Sequence, residues 1–214
     1  MFQRLRRITT TPFRASAWAL LLLTGCSGVR GDVSPVPSSV GARRIQVRDT
    51  AGGLREPLRV TGARAHVLVF TAVECERSAS YAPEISRLME RFSGKGVRFL
   101  LVDTGGPGRA DEVQRNAREL GYSQVVLLDP QHELVRELGV RVTPEAVVAL
   151  PDGMLVYRGR IDDLWTESGV ARDEPRYRDL EEALEGVVAG KRGPRIHTLA
   201  AGTPIPSVDP DEGR

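Results

Sequence analysis

The sequence predicts an α/β domain, a central mixed sheet flanked by helices and opened by an N-terminal β-hairpin. Three observations predict it. Two apolar runs, Val67-Leu68-Val69-Phe70 and Phe99-Leu100-Leu101-Val102, are too continuous for half-exposed strands and read as strands covered on both faces. Between them Tyr81, Ile85, Leu88, Met89 and Phe92 recur at helical spacing, and a right-handed crossover helix makes the flanking strands parallel. Downstream, Pro151-Asp152-Gly153 turns Ala146–Leu150 back on Met154–Tyr157 as an antiparallel hairpin.

In chain order, the first segment is an export signal. Arg4, Arg6, Arg7 and Arg14 precede Ala15–Leu23, an apolar stretch well short of the ~20 residues that span a bilayer. Leu23-Thr24-Gly25-Cys26 then matches a bacterial lipobox, in which the cysteine is lipidated and becomes the first residue. The expectation is a lipoprotein signal peptide over 1–25, lipid attachment at Cys26 and a Gly/Ser/Pro-rich flexible tether over 26–40. An ordinary signal peptide with an incidental cysteine is the alternative. Ser27, where an Asp would retain a lipoprotein at the inner membrane, favours the outer membrane.

The domain is expected over 41–190. Arg44–Arg48 alternates and Asp49–Gly53 turns, giving the opening hairpin. The strand over His66–Thr71 leads into a helix that starts near Cys75 and runs to about Phe92, stopped by Ser93-Gly94-Lys95-Gly96. A strand over Val97–Asp103 ends in the loop Thr104–Gly108, at the sheet edge where α/β proteins place their chemistry. A helix from Ala110 to Leu120, a short strand over Val125–Leu128 and a helix from Asp129 to Leu138 follow. After the hairpin, a last helix runs from about Arg178 to Ala189. Residues 191–214 read as a C-terminal tail.

Composition sets limits. The 214 residues are 41% hydrophobic and 27% charged, ordinary for a soluble domain. The formal charge of +2 rests on the four arginines of the signal, so the remaining chain is mildly acidic and argues against a nucleic-acid partner. His66, His132 and His197 are far apart and share no ligand spacing, so neither a metal nor a cofactor is expected.

The stretch Glu74-Cys75-Glu76-Arg77-Ser78, with Tyr81-Ala82-Pro83-Glu84, then Val142-Thr143-Pro144-Glu145 and Tyr157-Arg158-Gly159-Arg160-Ile161-Asp162-Asp163, resembles the redoxin branch of the thioredoxin-like superfamily. That branch includes the alkyl hydroperoxide reductase and thiol-specific antioxidant family. The resemblance runs from about Arg44 to Ile205. It implies a thioredoxin-like fold and a redox thiol at Cys75, with the Thr143-Pro144 bond cis beside it, exposing backbone that docks an extended substrate.

A cysteine where a strand delivers it to a helix N-terminus is placed to ionise, because helix N–H groups point at it. Arg77 adds to that tendency, whereas Glu74 and Glu76 oppose it. Ser78 occupies the place where dithiol relatives carry a resolving cysteine, and its hydroxyl is able to donate a hydrogen bond to the sulfur in its stead. The second place for a partner cysteine, a C-terminal Gly-Cys-x-Ile motif in relatives, is Gly202-Thr203-Pro204-Ile205 here. A disulfide with Cys75 must therefore be intermolecular.

Three readings follow. The first is monothiol exchange through Cys75, with Arg77 and Ser78 assisting and Thr143 and Pro144 positioning an envelope protein or a small thiol or disulfide. The second is a catalytically lapsed module that binds another envelope protein through the same edge. The third is peroxide reduction, which the resemblance allows but the residues weaken: the peroxidatic signature wants Pro seven and Thr or Ser three positions before the cysteine, and Leu68 and Ala72 stand there. Asp103 at a strand end is a candidate proton relay, or simply a loop cap. Trp165 is a candidate stacking surface.

Overall fold

The computed structural model describes residues 44–166, 168–191 and 196–206. The expected signal peptide, Cys26 and the whole tether lie outside the described residues, as does 207–214.

The alternation of β3 (Ala65–Thr71) explains why it must be buried twice. Val67 and Val69 enter one cluster with Ile85, Leu88 and Leu180, while Leu68 and Phe70 enter another with Leu134 and Leu138. The strand is thus the common wall of two cores. It is preceded by the expected hairpin, β1 (Val47–Asp49) and β2 (Leu54–Arg55), pinned by Asp49, whose carboxylate accepts from the Ala51 and Gly53 N–H groups.

The helix predicted from Cys75 to Phe92 is two helices, α1 (Glu76–Ser80) and α2 (Ala82–Ser93). Pro83 is the reason. It has no N–H and its ring crowds the preceding turn, so it is accommodated in the first turn of a new helix rather than inside an old one. Strand β4 (Val97–Asp103) then runs parallel to β3 over seven paired residues.

Next come α3 (Ala110–Glu119), β5 (Leu127–Leu128) and α4 (Glu133–Leu138). Helix α4 is shorter than expected at its start. Asp129 serves as its cap from outside, accepting from Glu133 N–H and Val135 N–H, and His132 takes a left-handed conformation between them. After β6 (Val142–Thr143), strands β7 (Glu145–Ala149) and β8 (Leu155–Gly159) form the expected hairpin, and α5 (Asp179–Val188) packs over the first core.

The C-terminal segment departs from the sequence reading. It contributes β9 (Ile196–His197), parallel to β8, and β10 (Thr203–Pro204), antiparallel to β6. The large sheet is ordered β2-β1-β5-β4-β3-β7-β8-β9, with β10-β6 as a separate ladder. Close approach makes β9 possible: a Cβ on Gly159 would collide with Thr198 Oγ1.

Candidate functional site

Cys75 is the N-cap of α1, where the chain leaves β3, and it is the one cysteine among the described residues. Its sulfur accepts from the Ser78 backbone N–H at 3.4 Å, the contact expected of a side chain capping a first turn. As a thiol it donates to the Thr143 carbonyl at 3.1 Å. A third neighbour, Thr203 Oγ1, lies 3.3 Å away. The Ser78 hydroxyl is buried on the same turn without a well-formed hydrogen bond of its own, which leaves the thiolate as an acceptor for its proton.

These contacts decide the acidity. Burial pushes the Cys75 thiol up, but hydrogen bonding by Ser78, Thr143 and Thr203 outweighs it and brings the group down to about 7 from an ordinary 9.0. Arg77 does not lead this effect. Its guanidinium lies 5.1 Å from the centre of the Trp165 ring, a cation–π contact that ties α1 to the loop after β8. Trp165 is therefore occupied from within the chain.

The Thr143-Pro144 peptide is cis, as the resemblance implied, and it brings Thr143 against the sulfur. The loop is held from behind. Glu145 accepts from Arg141 N–H at 2.9 Å, and Arg158, fully buried, donates to the Leu138 and Gly139 carbonyls and lies 3.5 Å from the Glu145 carboxylate. Burial dominates for Glu145 and pushes its carboxyl up. Arg158 stands within a motif of the resemblance, but its burial is not foreseen from the sequence, because a basic residue in a strand normally faces solvent.

Thr203 is the contact that sequence reasoning missed. The signal was present: a motif that places a second cysteine in relatives must sit within bonding reach of Cys75, and Thr203 stands in that place.

Beside Cys75 is a cavity of about 420 Å³, lined by Cys75, Glu74, Arg109, His132 and Thr203 among others. Its rim is charged: Arg109 pairs with both Glu74 and Glu112. Glu74 thus has a counter-charge and opposes the thiolate less than its bare charge suggests. Asp103 lies behind this rim, accepting from Gly105 N–H at 2.9 Å, and its carboxyl is pushed up by burial. Its observed part is the loop cap. Thr71, the hydroxyl nearest the peroxidatic position, donates to the Val102 carbonyl at 3.4 Å.

His66 is buried and its Nδ1 lies 2.8 Å from the Pro57 carbonyl, His132 Nε2 lies 2.8 Å from the Thr104 carbonyl, and His197 meets Arg158. Each works as a structural tie on a different part of the domain.

The comparisons with known proteins agree with this architecture. The model of the AhpC/TSA family matches residues 43–161. Among solved structures, an uncharacterized conserved protein from Geobacillus kaustophilus is 22% identical with a TM-score of 0.68, over 81% of this chain and 93% of the other. A hypothetical protein from Sinorhizobium meliloti 1021 is 17% identical with a TM-score of 0.66, over 80% and 93%. A putative thiol:disulfide interchange protein DsbE from Chlorobium tepidum is 16% identical with a TM-score of 0.52, over 73% and 98%. No curated protein sequence matches. With a parallel β3-β4 pair, an antiparallel β7-β8 hairpin and a cis proline facing a capping cysteine, this chain belongs to the AhpC/TSA family and has a thioredoxin-like fold.

Proposed function

We propose that the protein is an envelope thiol–disulfide oxidoreductase that works through Cys75 alone. The observation that carries this reading is the depression of the Cys75 thiol to about 7 by hydrogen bonds converging on a buried sulfur. About half the molecules then carry a thiolate at neutral pH, where an unperturbed thiol gives a few per cent.

The Cys75 thiolate attacks one sulfur of a partner disulfide. A Cys75–partner disulfide forms, the original S–S bond breaks, and the second partner sulfur leaves as a thiolate. With Ser78 and Thr203 bearing hydroxyls where a resolving thiol would be needed, release requires a thiol from outside. That thiol attacks the mixed disulfide, forms a new disulfide with the partner and returns Cys75 as thiolate. Thr143 and Pro144 position the partner beside the sulfur, and Ser78 stabilises the thiolate. Arg77 orients α1 through Trp165.

The N-terminal sequence supports the location. A signal peptide over 1–25, lipid at Cys26 and a tether over 26–40 would hang the domain 41–190 and its C-terminal segment from a membrane, the outer one by Ser27. Such an anchor would put Cys75 in a compartment where protein disulfides persist. The similar Chlorobium tepidum protein is described as a putative thiol:disulfide interchange protein, which fits the same chemistry.

The burial of Cys75, 1% exposed, favours a second reading, a module that binds through the same edge without exchange. Incubation of the protein from Gly31 onward with oxidised glutathione separates them. Exchange gives a mixed disulfide on Cys75, seen as a glutathione mass increment that dithiothreitol removes. No adduct after prolonged incubation at pH 8 would sink the exchange reading.

A further inference from the structure

Cys75 is 1% exposed, and the chain's own C-terminal segment covers one side of it. Strand β10 pairs antiparallel with β6, setting Thr203 opposite Thr143 and Pro204 opposite Val142, and Ile205 N–H continues the ladder onto the Arg141 carbonyl at 2.9 Å. Ile205 also packs at the margin of the second core, anchoring the far end of the strand. At the near end the segment is fitted closely. A Cβ added to Gly202 would lie 2.5 Å from the Thr143 carbonyl oxygen and 2.9 Å from Val142 Cβ.

The backbone that β10 covers is the stretch carrying Thr143, whose carbonyl meets the reactive sulfur. A short strand edge beside a nucleophile is a place for an extended chain to add by backbone pairing. Here that place is taken by two paired residues with a proline, which contributes no N–H to the ladder. So short a ladder is a weak one, open to exchange against a longer strand.

We propose that Gly202–Ile205 is an internal occupant of a peptide-docking edge, and that an extended polypeptide disulfide reaches Cys75 by replacing it on Val142–Thr143. This rests on the exchange reading above. The incoming strand takes the antiparallel register of β10, which sets its disulfide sulfur where Thr203 now stands. Cys75 thiolate then forms the mixed disulfide and the partner's other sulfur leaves as thiolate. Small, non-pairing disulfides such as oxidised glutathione react more slowly, through spontaneous opening of the segment, which prolonged incubation allows.

The test uses the protein from Gly31 onward, in which Cys75 is the one thiol, with Gly202→Val to eject the segment and Ile205→Asp as an independent way to detach it. Two rates are measured on each protein: alkylation by iodoacetamide, and thionitrobenzoate release from an extended peptide carrying a thionitrobenzoate mixed disulfide. Compared per thiolate, because detachment also removes the Thr203 hydrogen bond that lowers the Cys75 thiol, both rates should rise about tenfold or more, the reciprocal of the fraction open at rest. Excess synthetic peptide spanning Leu199–Pro206 should restore the slow rates. Ile205 amide exchange, slow in the parent and fast in the variants, reports detachment itself. Fast amide exchange with unchanged rates would overturn the occupant role while leaving thiol exchange standing. Rapid alkylation with no thionitrobenzoate release in any protein would instead overturn the exchange reading, and the proposal with it.

Discussion

The hydroxyl of Thr203 lies 3.3 Å from the sulfur of Cys75, although 128 residues separate them in sequence. The contact is one of the three hydrogen-bonding groups that hold the thiol near 7. Thr203→Val keeps the shape and the β-branch but loses the donor. The midpoint of the pH–rate profile for Cys75 alkylation should rise from about 7 toward 9.0. At pH 7 a one-unit rise would cut the thiolate fraction, and the rate, about fivefold. An unchanged midpoint would assign the depression to Ser78 and Thr143 alone.

The pair Arg158 and Glu145 sets the second expectation. Both side chains are almost fully buried, and Arg158 also holds the Leu138 and Gly139 carbonyls. Arg158→Met fills similar volume but strands a buried carboxyl that burial already pushes up. Loss of one partner of a buried pair costs about 3–5 kcal/mol. Urea unfolding at pH 7 should show a loss of this size, and Arg158→Met with Glu145→Gln together should recover part of it.

Tyr81 closes the junction of α1 and α2, donating to the Asp162 carboxylate at 2.6 Å. Burial raises the Asp162 pKa, and the Tyr81 hydrogen bond opposes that rise. Tyr81→Phe should therefore destabilise the domain by about 1–3 kcal/mol at neutral pH. The sign of the pH effect follows from the raised folded pKa. The protonated form suits the folded state, so its stabilisation is present in acid and lost as pH rises through the folded pKa. The deficit of Tyr81→Phe should thus be larger at pH 8 than at pH 5, measured as the shift in urea midpoint.

Much of this arrangement was legible in the sequence, for physical reasons. The runs in β3 and β4 had to be buried on both faces, and Pro151-Asp152-Gly153 had to turn. The junction of strand and helix put Cys75 at a helix start, and the family resemblance carried the cis bond at Thr143-Pro144. What escaped reading depends on long-range packing. Two-residue strands such as β9 and β10 are too short to show alternation, so their residues read as a tail. The inward turn of Arg158 is set by carbonyls of α4 and by Glu145, which no local pattern encodes. The split at Tyr81 was readable from Pro83, but the strong apolar spacing through Phe92 masked it.

Asp103 gives a last test, because its position allows two roles. It is buried at the end of β4, accepts from Gly105 N–H, and has its carboxyl pushed up by burial, with Arg109 opposing that rise. As a loop cap, its charge is a cost to the fold once pH exceeds its raised folded pKa. Asp103→Asn keeps an acceptor for Gly105 and removes the charge. The variant should be at least as stable as the parent at pH 8, and the advantage should shrink as pH falls toward 5, since the protonated parent then matches the neutral amide. As a proton relay to the site, the same substitution would instead slow thiol exchange at pH 7 while leaving the alkylation midpoint of Cys75 near 7. Measured together, urea midpoints and exchange rates of this one variant separate the roles. The expected result is the stability signature with unchanged exchange, because the hydrogen bond observed for Asp103 runs to its own loop and the groups around the sulfur come from Ser78, Thr143 and Thr203.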